Sequence, residues 1–358
     1  MGKTLFLLVI SGTDTIKHQG ISAAGANHEM LPYTAALDAE FIYHGHTKTL
    51  DKLPMSPSGI VSPALISKAC LNLLGIDILI VDSGAHIKPQ CPYISIREQP
   101  SGDISTGQAL TYDEVVELYQ AGKIFTETIK DYNKLIIAEC VVGGTTTALA
   151  LLEALGYKCS RMLSSSFPEG NHNLKEKLVR QGLNLAKISD DPLTAVSAMG
   201  DPMQVFVAGL AQNCLENGIQ VTLAGGTQMI AVTALINKLN TEHSATSGVK
   251  IITTPWIVND KSARFADLHQ LCCPSIEVQY PDTKTLRNNT LLNEQISLLS
   301  DNELTLNLIL DRYEEGHVKE GVGLGSLLNL FQNCPERGMR ASRTRSLLYI
   351  NEQSEKRA

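Results

Sequence analysis

Two glutamates lie in glycine-rich stretches of the sequence, and the first, Glu139, opens the run E-C-V-V-G-G-T-T-T between an apolar and a helical segment. Gly143 and Gly144 allow the backbone to turn tightly and to approach a ligand closely. Thr145 and Thr146 place hydroxyls and N–H groups at a helix start, where the helix dipole attracts anions. The run predicts a cradle for a phosphate or ribose, with a threonine-capped helix after a glycine turn as the alternative.

The second glutamate, Glu320, lies in the run K-E-G-V-G-L-G near the end of the chain. Glycines at alternate positions leave one carboxylate on a pliable backbone that can wrap a flat ligand. Burial by a planar ring would raise the pKa of this carboxyl, which makes Glu320 a candidate general base. A flexible joint that carries a solvated glutamate is the alternative.

Two further segments contain candidate binding residues. The run L-A-G-G-T-Q repeats the order strand, Gly-Gly, Thr and helix at Gly225, Gly226 and Thr227. Two such turns are predicted to open on the same edge of one sheet. Residues 164–175, S-S-S-F-P-E-G-N-H-N-L-K, contain hydroxyls and amides, with Lys175 as a point charge for a phosphate. An ordinary loop before an N-capped helix is the alternative for this segment.

A scaffold of alternating strands and helices must position these residues. Short runs rich in Ile, Val and Leu predict strands at 4–10, 77–81, 134–138, 219–224 and 249–253. Helical stretches are predicted at 63–74, 112–130, 145–155, 174–186, 203–217 and 227–239. The strand runs lack strict alternation, which is typical of strands covered by helices on both faces. The sequence therefore predicts an α/β fold with a Rossmann-like, mostly parallel sheet, and ligand sites at the carboxyl ends of its strands.

Composition excludes several classes of function. The net charge is −7, and no basic block stands out in the body of the chain, which argues against a nucleic-acid partner. The apolar run 5–10 is far shorter than the roughly 20 residues that span a bilayer. Eight cysteines without a C-x-x-C pair indicate reduced thiols. We therefore expect a cytoplasmic protein with no membrane contact, no metal site and no cofactor.

Taken together, the motifs resemble those of the nicotinate-nucleotide–dimethylbenzimidazole phosphoribosyltransferase family, and most closely a divergent branch of it. The blocks that carry the resemblance are E-C-V-V-G-G-T-T-T-A (139–148), S-S-S (164–166), G-D-P-M (200–203), L-A-G-G-T-Q-M-I-A-V (223–232), T-T-P-W (253–256) and V-K-E-G-V-G-L-G (318–325). They extend over most of the chain, from about residue 11 to residue 326.

The resemblance implies roles for individual residues. Glu320 matches the acid of the family's G-E-G-x-G-A motif, which deprotonates the acceptor base. Glu139 matches the acid that opens G-E-M-G-I-G-N-T-T, although Val141 replaces a glycine and Gly144 replaces the asparagine of that motif. Lys175 corresponds to a phosphate-binding lysine. Ser22 matches a base-contacting serine, although the family's preceding D-H-G is lost here.

The resemblance also implies an architecture and a reaction. We expect a large α/β domain at 63–299 with the first strand 4–10, a small helical domain from 11–62 and 300–336, a basic polar tail at 337–358, and a homodimer. The implied reaction moves the phosphoribosyl group of nicotinate mononucleotide to a benzimidazole- or purine-like base, with inversion at C1′, for the lower ligand of a cobamide. A non-catalytic nucleotide-binding protein on the same fold is the alternative; a nicotinamide-dependent dehydrogenase lacks its glycine fingerprint here.

Overall fold

A single parallel sheet forms the centre of the molecule in the computed structural model, which describes residues 3–240 and 248–334. Its strands are β1 (Thr4–Ser11), β2 (Asp77–Ser83), β3 (Ile94–Arg97), β4 (Lys134–Val141), β5 (Gln220–Ala224), β6 (Val249–Ile252) and β7 (Glu277–Gln279). Their spatial order is β3-β2-β1-β4-β5-β6-β7, and every neighbouring pair is parallel. The Rossmann-like α/β prediction is confirmed.

Fourteen α-helices surround the sheet in the described part of the chain. The first seven helices are α1 (Thr34–His44), α2 (Ala64–Leu74), α3 (Tyr112–Phe125), α4 (Gly144–Ala154), α5 (His172–Leu185), α6 (Pro192–Met199) and α7 (Pro202–Glu216). The remainder are α8 (Thr227–Leu239), α9 (Pro255–Val258), α10 (Phe265–Cys272), α11 (Thr283–Leu286), α12 (Thr290–Leu299), α13 (Leu306–Glu314) and α14 (Leu324–Gln332). The described helices include none that is long and apolar enough to cross a bilayer.

Side chains of the central strands alternate between two buried cores, one on each face of the sheet. In β1, Leu5, Leu7 and Val9 pack into the core beneath α3, α4, α7 and α8. Phe6 and Leu8 point to the opposite core, which α1, α2, α12, α13 and α14 cover. Both faces are apolar for this reason, which explains why the strand runs in the sequence show no polar alternation.

The structure adds two edge strands to the prediction and corrects two boundaries. Two edge strands, β3 and β7, were not predicted, because they are only four and three residues long and are half-exposed, without an apolar run. The predicted helix 112–130 ends at Phe125 and continues as a 3₁₀ turn over Thr126–Ile129. Strand β4 extends to Val141, so that Glu139 lies inside the strand rather than in the loop after it.

Helices from the segments predicted to form a small domain lie on one face of the sheet. Helices α1, α13 and α14, from these segments, share an apolar core with α2 and α12. The division of the chain into a large and a small domain stays a prediction. The predicted tail at 337–358 lies outside the described residues.

Helix α14 packs so closely on the sheet that its second residue, Gly325, has no room for a side chain. A Cβ there would lie 2.1 Å from both the carbonyl carbon and the oxygen of Thr253, at the end of β6. Backbone atoms cannot move aside as a flexible side chain can. Gly325 therefore fixes the distance between the chain around residue 320 and the carboxyl end of the sheet.

We expect Gly325→Ala to lower the free energy of unfolding by about 1–3 kcal/mol or more, through overpacking against backbone. Gly218→Ala is the matched control, because a Cβ at Gly218 meets nothing within 4 Å. The only cost of this substitution is backbone strain, since residue 218 has a positive φ of 73°. Urea unfolding of both variants checks the prediction. Equal losses of stability in the two would contradict it.

Candidate active site

A cavity opens at the carboxyl end of the sheet, with a volume of about 970 Å³ including the solvent at its mouth. Its walls come from the end of β4 with the start of α4, the start of α8, the Ser164–Ser166 loop, helix α1 and the loop 317–322. The glycine-rich segments of the sequence therefore meet at one cavity.

Glu139 and Glu320 both line this cavity, although 181 positions separate them in the sequence. The connection between their segments is direct, since the Val322 N–H donates to the Glu139 carbonyl oxygen at 3.2 Å. The loop achieves this contact with left-handed backbone at Val322 (φ 52°) and Gly323 (φ 69°). A β-branched residue rarely adopts a positive φ, so the loop is held in a strained shape beside Glu139.

The Glu320 carboxyl is held from several sides. Its Oε1 accepts hydrogen bonds from the N–H groups of Gly321 and Gly325 at 3.1 and 3.2 Å. Its Oε2 accepts one from the Thr253 hydroxyl at 3.4 Å. Burial raises the pKa of Glu320 to about 7, against the opposing effect of these hydrogen bonds. A carboxyl with this pKa exchanges a proton near neutral pH.

The pKa of the Glu139 carboxyl is raised further than that of Glu320. Burial raises its pKa to about 8, and the negative charges of Asp201 and Glu320 add to the rise, while a hydrogen bond from the Val141 N–H opposes it. That N–H donates to Oε2 at 3.1 Å. The negative charge of Glu320 disfavours ionisation of Glu139, whereas a positive charge on a bound ligand would favour it.

Two helix starts face the cavity, as the repeated Gly-Gly-Thr turns predict. Gly143 has a φ of 82° and precedes α4, and Gly226 precedes α8. A Cβ at Gly144 would lie 1.9 Å from Oε1 of Gln228, so a larger residue there would displace the end of that side chain. Oε1 of Gln228 and Oγ1 of Thr227 are buried without a hydrogen-bond partner, and both residues line the cavity. Such atoms are typical of a site that a polar ligand completes.

Two lysines and one aspartate lie behind the serine loop. Lys319 pairs with Asp260 at 2.7 Å, and the side chains are only 5% and 3% exposed. Lys175 is buried and donates to Thr145 Oγ1 at 2.8 Å and to the Ser164 carbonyl at 2.9 Å. Burial lowers the pKa of Lys175 to about 7, and the charge of Lys319 adds to this effect. The Ser164 hydroxyl donates to Asp260 at 2.7 Å, which joins the cluster to the loop.

A third carboxyl, Asp38 of α1, also lines the cavity and is only 3% exposed. The Ser62 hydroxyl donates to its Oδ1 at 2.7 Å, and the Cys140 thiol lies 3.3 Å from its Oδ2. Burial raises the pKa of Asp38 to about 6, against both hydrogen bonds.

Most of the predicted site residues meet at the cavity. The wall contains Ser22, Glu139, Gly143, Gly144, Thr145, Gly226, Thr227 and Glu320. Gly225, Thr146 and Lys175 lie behind it: Thr146 has a buried hydroxyl without a partner, and Lys175 contacts Thr145 rather than the cavity. A direct phosphate contact of Lys175 stays a prediction.

Sequence reasoning missed four residues of the site: Asp38, Gln228, Asp260 and Lys319. Lys319 and Gln228 are next in sequence to the predicted site residues Glu320 and Thr227, so the sequence neighbours of those two residues could have revealed them. Asp260 ends a segment, 254–260, that follows a predicted strand. Asp38 has no local signal, because it lies in the middle of a helix and reaches the site only through the tertiary fold.

Fold and cavity together define a Rossmann-like α/β protein with a ligand site at the carboxyl edge of a parallel sheet. A family model described as "Phosphoribosyltransferase" matches residues 64–245. The chain belongs to the nicotinate-nucleotide–dimethylbenzimidazole phosphoribosyltransferase family, in the divergent branch of the UPF0284 proteins.

Relatives support this placement, and a solved structure is similar in fold. The UPF0284 protein of Gloeothece citriformis is 40% identical over 332 residues, which cover 90% of this chain and 84% of the relative. That of Microcystis aeruginosa is 38% identical over 326 residues, with coverages of 90% and 85%. A crystal structure of nicotinate-nucleotide-dimethylbenzimidazole phosphoribosyltransferase from Thermus thermophilus is similar in fold, with a TM-score of 0.61 at 14% identity over 96% of this chain and 82% of that one.

The raised pKa of Glu139 predicts a pH-dependent stability. Between pH 5 and 8 the unfolded chain has already lost the Glu139 proton while the folded protein keeps it, so the free energy of unfolding falls as pH rises. We expect Glu139→Gln to remove about 2–5 kcal/mol of this fall, measured by urea unfolding at pH 5 and pH 9. An identical pH dependence in the variant and the wild type would show that Glu139 ionises freely.

Lys319 and Asp260 provide a second test of the site. We expect Lys319→Met to cost about 3–5 kcal/mol of stability at pH 7, because the Asp260 carboxylate is left buried without its cation. Adding Asp260→Asn to this variant removes that charge and restores much of the loss. Urea unfolding of the single and double variants measures both effects; a loss below about 1 kcal/mol in the single variant would contradict a buried pair.

Proposed function

We propose that this protein transfers the 5-phosphoribosyl group of nicotinate mononucleotide to a benzimidazole- or purine-like base, with inversion at C1′. The product is an α-riboside phosphate for the lower ligand of a cobamide. The observation that carries the proposal is the convergence of Glu139 and Glu320 on one cavity between two helix starts. The family membership of the chain supports the same class of reaction.

Glu320 is the general base of the proposed reaction. One ring nitrogen of the acceptor attacks C1′, the C1′–N bond to nicotinate breaks, and its electron pair stays on the nicotinate nitrogen. The proton on the acceptor's other ring nitrogen passes to Glu320. A pKa of about 7 leaves a useful ionised fraction at neutral pH and makes Glu320 a strong enough base for this step.

Glu139 stabilises the positive charge that develops on the sugar. The transition state resembles an oxocarbenium ion, and a carboxylate fixed beside it lowers the barrier electrostatically. Bound nicotinate mononucleotide carries a pyridinium cation, which favours the ionised form of Glu139 and lowers its pKa below the value of about 8 that burial gives it. The substrate thus ionises the residue that acts on it.

Main-chain N–H groups at the starts of α4 and α8 suit the phosphate. Both starts lie on the cavity wall and supply partial positive charge. Lys319 also borders the cavity, where its ammonium is paired with the Asp260 carboxylate. Lys175 acts from behind by orienting the Thr145 hydroxyl. Holding the phosphate and two flat rings in line accounts for much of the rate.

We also propose that the protein is a homodimer and cytoplasmic, as expected from the sequence analysis. Sedimentation of the purified protein tests the dimer independently of activity.

We expect Glu320→Gln to lower kcat for release of nicotinate by about 10²–10⁴-fold, because the acceptor keeps its proton, while binding of nicotinate mononucleotide persists. Glu303→Gln, an exposed carboxyl before α13, is the matched control and keeps wild-type kcat. In the wild type, kcat/KM rises with pH between about 6 and 8 as Glu320 and Glu139 lose their protons. Chromatography of the products over this pH range measures both effects.

Proton NMR of the product gives its anomeric configuration, which is α if the acceptor attacks opposite the leaving nicotinate. Full turnover by Glu320→Gln would remove that residue from the role of base. Calorimetry that shows nucleotide binding, with no turnover on any azole or purine, would favour the non-catalytic alternative.

A further inference from the structure

Asp38 is a buried carboxyl on the cavity wall that the proposed reaction does not use. An ionised carboxylate offers about four acceptor positions, and the described contacts of Asp38 fill two of them, with the Ser62 hydroxyl and the Cys140 thiol. The thiol is a weak donor. Hydrogen-bonding capacity therefore remains at a side chain that is 3% exposed and borders the cavity.

Asp38 lies at the end of the cavity where the acceptor base must bind. The buried phenol of Tyr313 donates to the Val61 carbonyl oxygen at 2.8 Å, and the next residue, Ser62, donates to Asp38 at 2.7 Å. Burial raises the pKa of this phenol most, and the negative charges of Asp38 and Glu320 raise it further, which agrees with both carboxyls lying near it. Ile60 and Pro63, which flank Ser62 in sequence, give this part of the wall an apolar surface that suits a flat ring.

We propose, on the basis of the phosphoribosyl transfer above, that Asp38 accepts a hydrogen bond from an amino group on the acceptor base, so that aminopurine-type bases are preferred. Glu320 takes the proton of the reacting ring, and Asp38 recognises a second donor elsewhere on the same base. A base that presents a methyl group or a bare C–H to Asp38 leaves the carboxylate buried and incompletely paired, which is costly. Sites built to hydrogen-bond one group reject analogues without it.

Adenine and purine form the sharpest pair of probes, because they differ only in the amino group. We expect calorimetry to show that the wild-type protein binds adenine at least about tenfold more tightly than purine. Asp38→Leu removes every acceptor at this position, and we expect the two affinities to come within about threefold of each other. Asp38→Asn keeps the shape of the side chain and removes its charge, and it gives an intermediate ratio.

Thr34→Val is the matched control, since Thr34 borders the cavity one helical turn before Asp38 and its hydroxyl faces the carbonyls of Ala24 and Met30. This variant keeps the wild-type ratio of affinities. Equal or undetectable binding of adenine and purine by the wild type overturns the proposal, even if the Asp38 variants fail to fold. An undiminished preference for adenine in a folded Asp38→Leu protein overturns it as well.

Turnover separates this inference from the proposed function. With nicotinate mononucleotide present, the ratio of kcat/KM for adenine over purine falls at least about tenfold in Asp38→Leu relative to the wild type. If the wild type forms no riboside phosphate from any base, the transfer reaction is wrong, and the binding ratios still decide whether Asp38 recognises an amino group.

Discussion

The site depends on a single main-chain contact, the hydrogen bond from the Val322 N–H to the Glu139 carbonyl. It joins a loop near the end of the chain to the central strand β4 and brings two distant glutamates to one cavity. Close packing of Gly325 on the backbone of Thr253 and the left-handed backbone at Val322 and Gly323 hold the loop in this position. The positive φ of Val322 carries a cost that packing elsewhere must offset.

The chemistry of the site depends on the electrostatics of its buried carboxyls. Glu139, Glu320 and Asp38 are all buried around one cavity, and burial raises the pKa of each. Carboxyls crowded in this way lower the stability of the protein as pH rises, yet they suit a cationic ligand and a positively charged transition state. The starts of α4 and α8 border the same cavity and supply partial positive charge through their N–H groups. A nucleotide that carries a pyridinium and a phosphate is complementary to both sets of groups.

Local patterns in the sequence were sufficient for much of this architecture. Each Gly-Gly-Thr turn follows a buried strand and precedes a helix, so its place at the carboxyl edge of the sheet could be predicted. The strands β3 and β7 could not, because short half-exposed edges leave no apolar run. Asp38 and the pair Lys319–Asp260 are long-range features: the partners of the pair are 59 positions apart, and Asp38 meets Cys140 over 102 positions. Both its polar segment and the resemblance predict Lys175 as a phosphate-binding cation, and the structure places it behind Thr145.

Convergence of Glu139 and Glu320 on one sugar carbon is the central claim, and a crystal structure of the protein with nicotinate mononucleotide tests it most directly. The account predicts C1′ of the ribose between the two carboxyls, with the phosphate at the starts of α4 and α8. A nucleotide bound elsewhere, or a ribose that contacts neither carboxyl, would contradict the account.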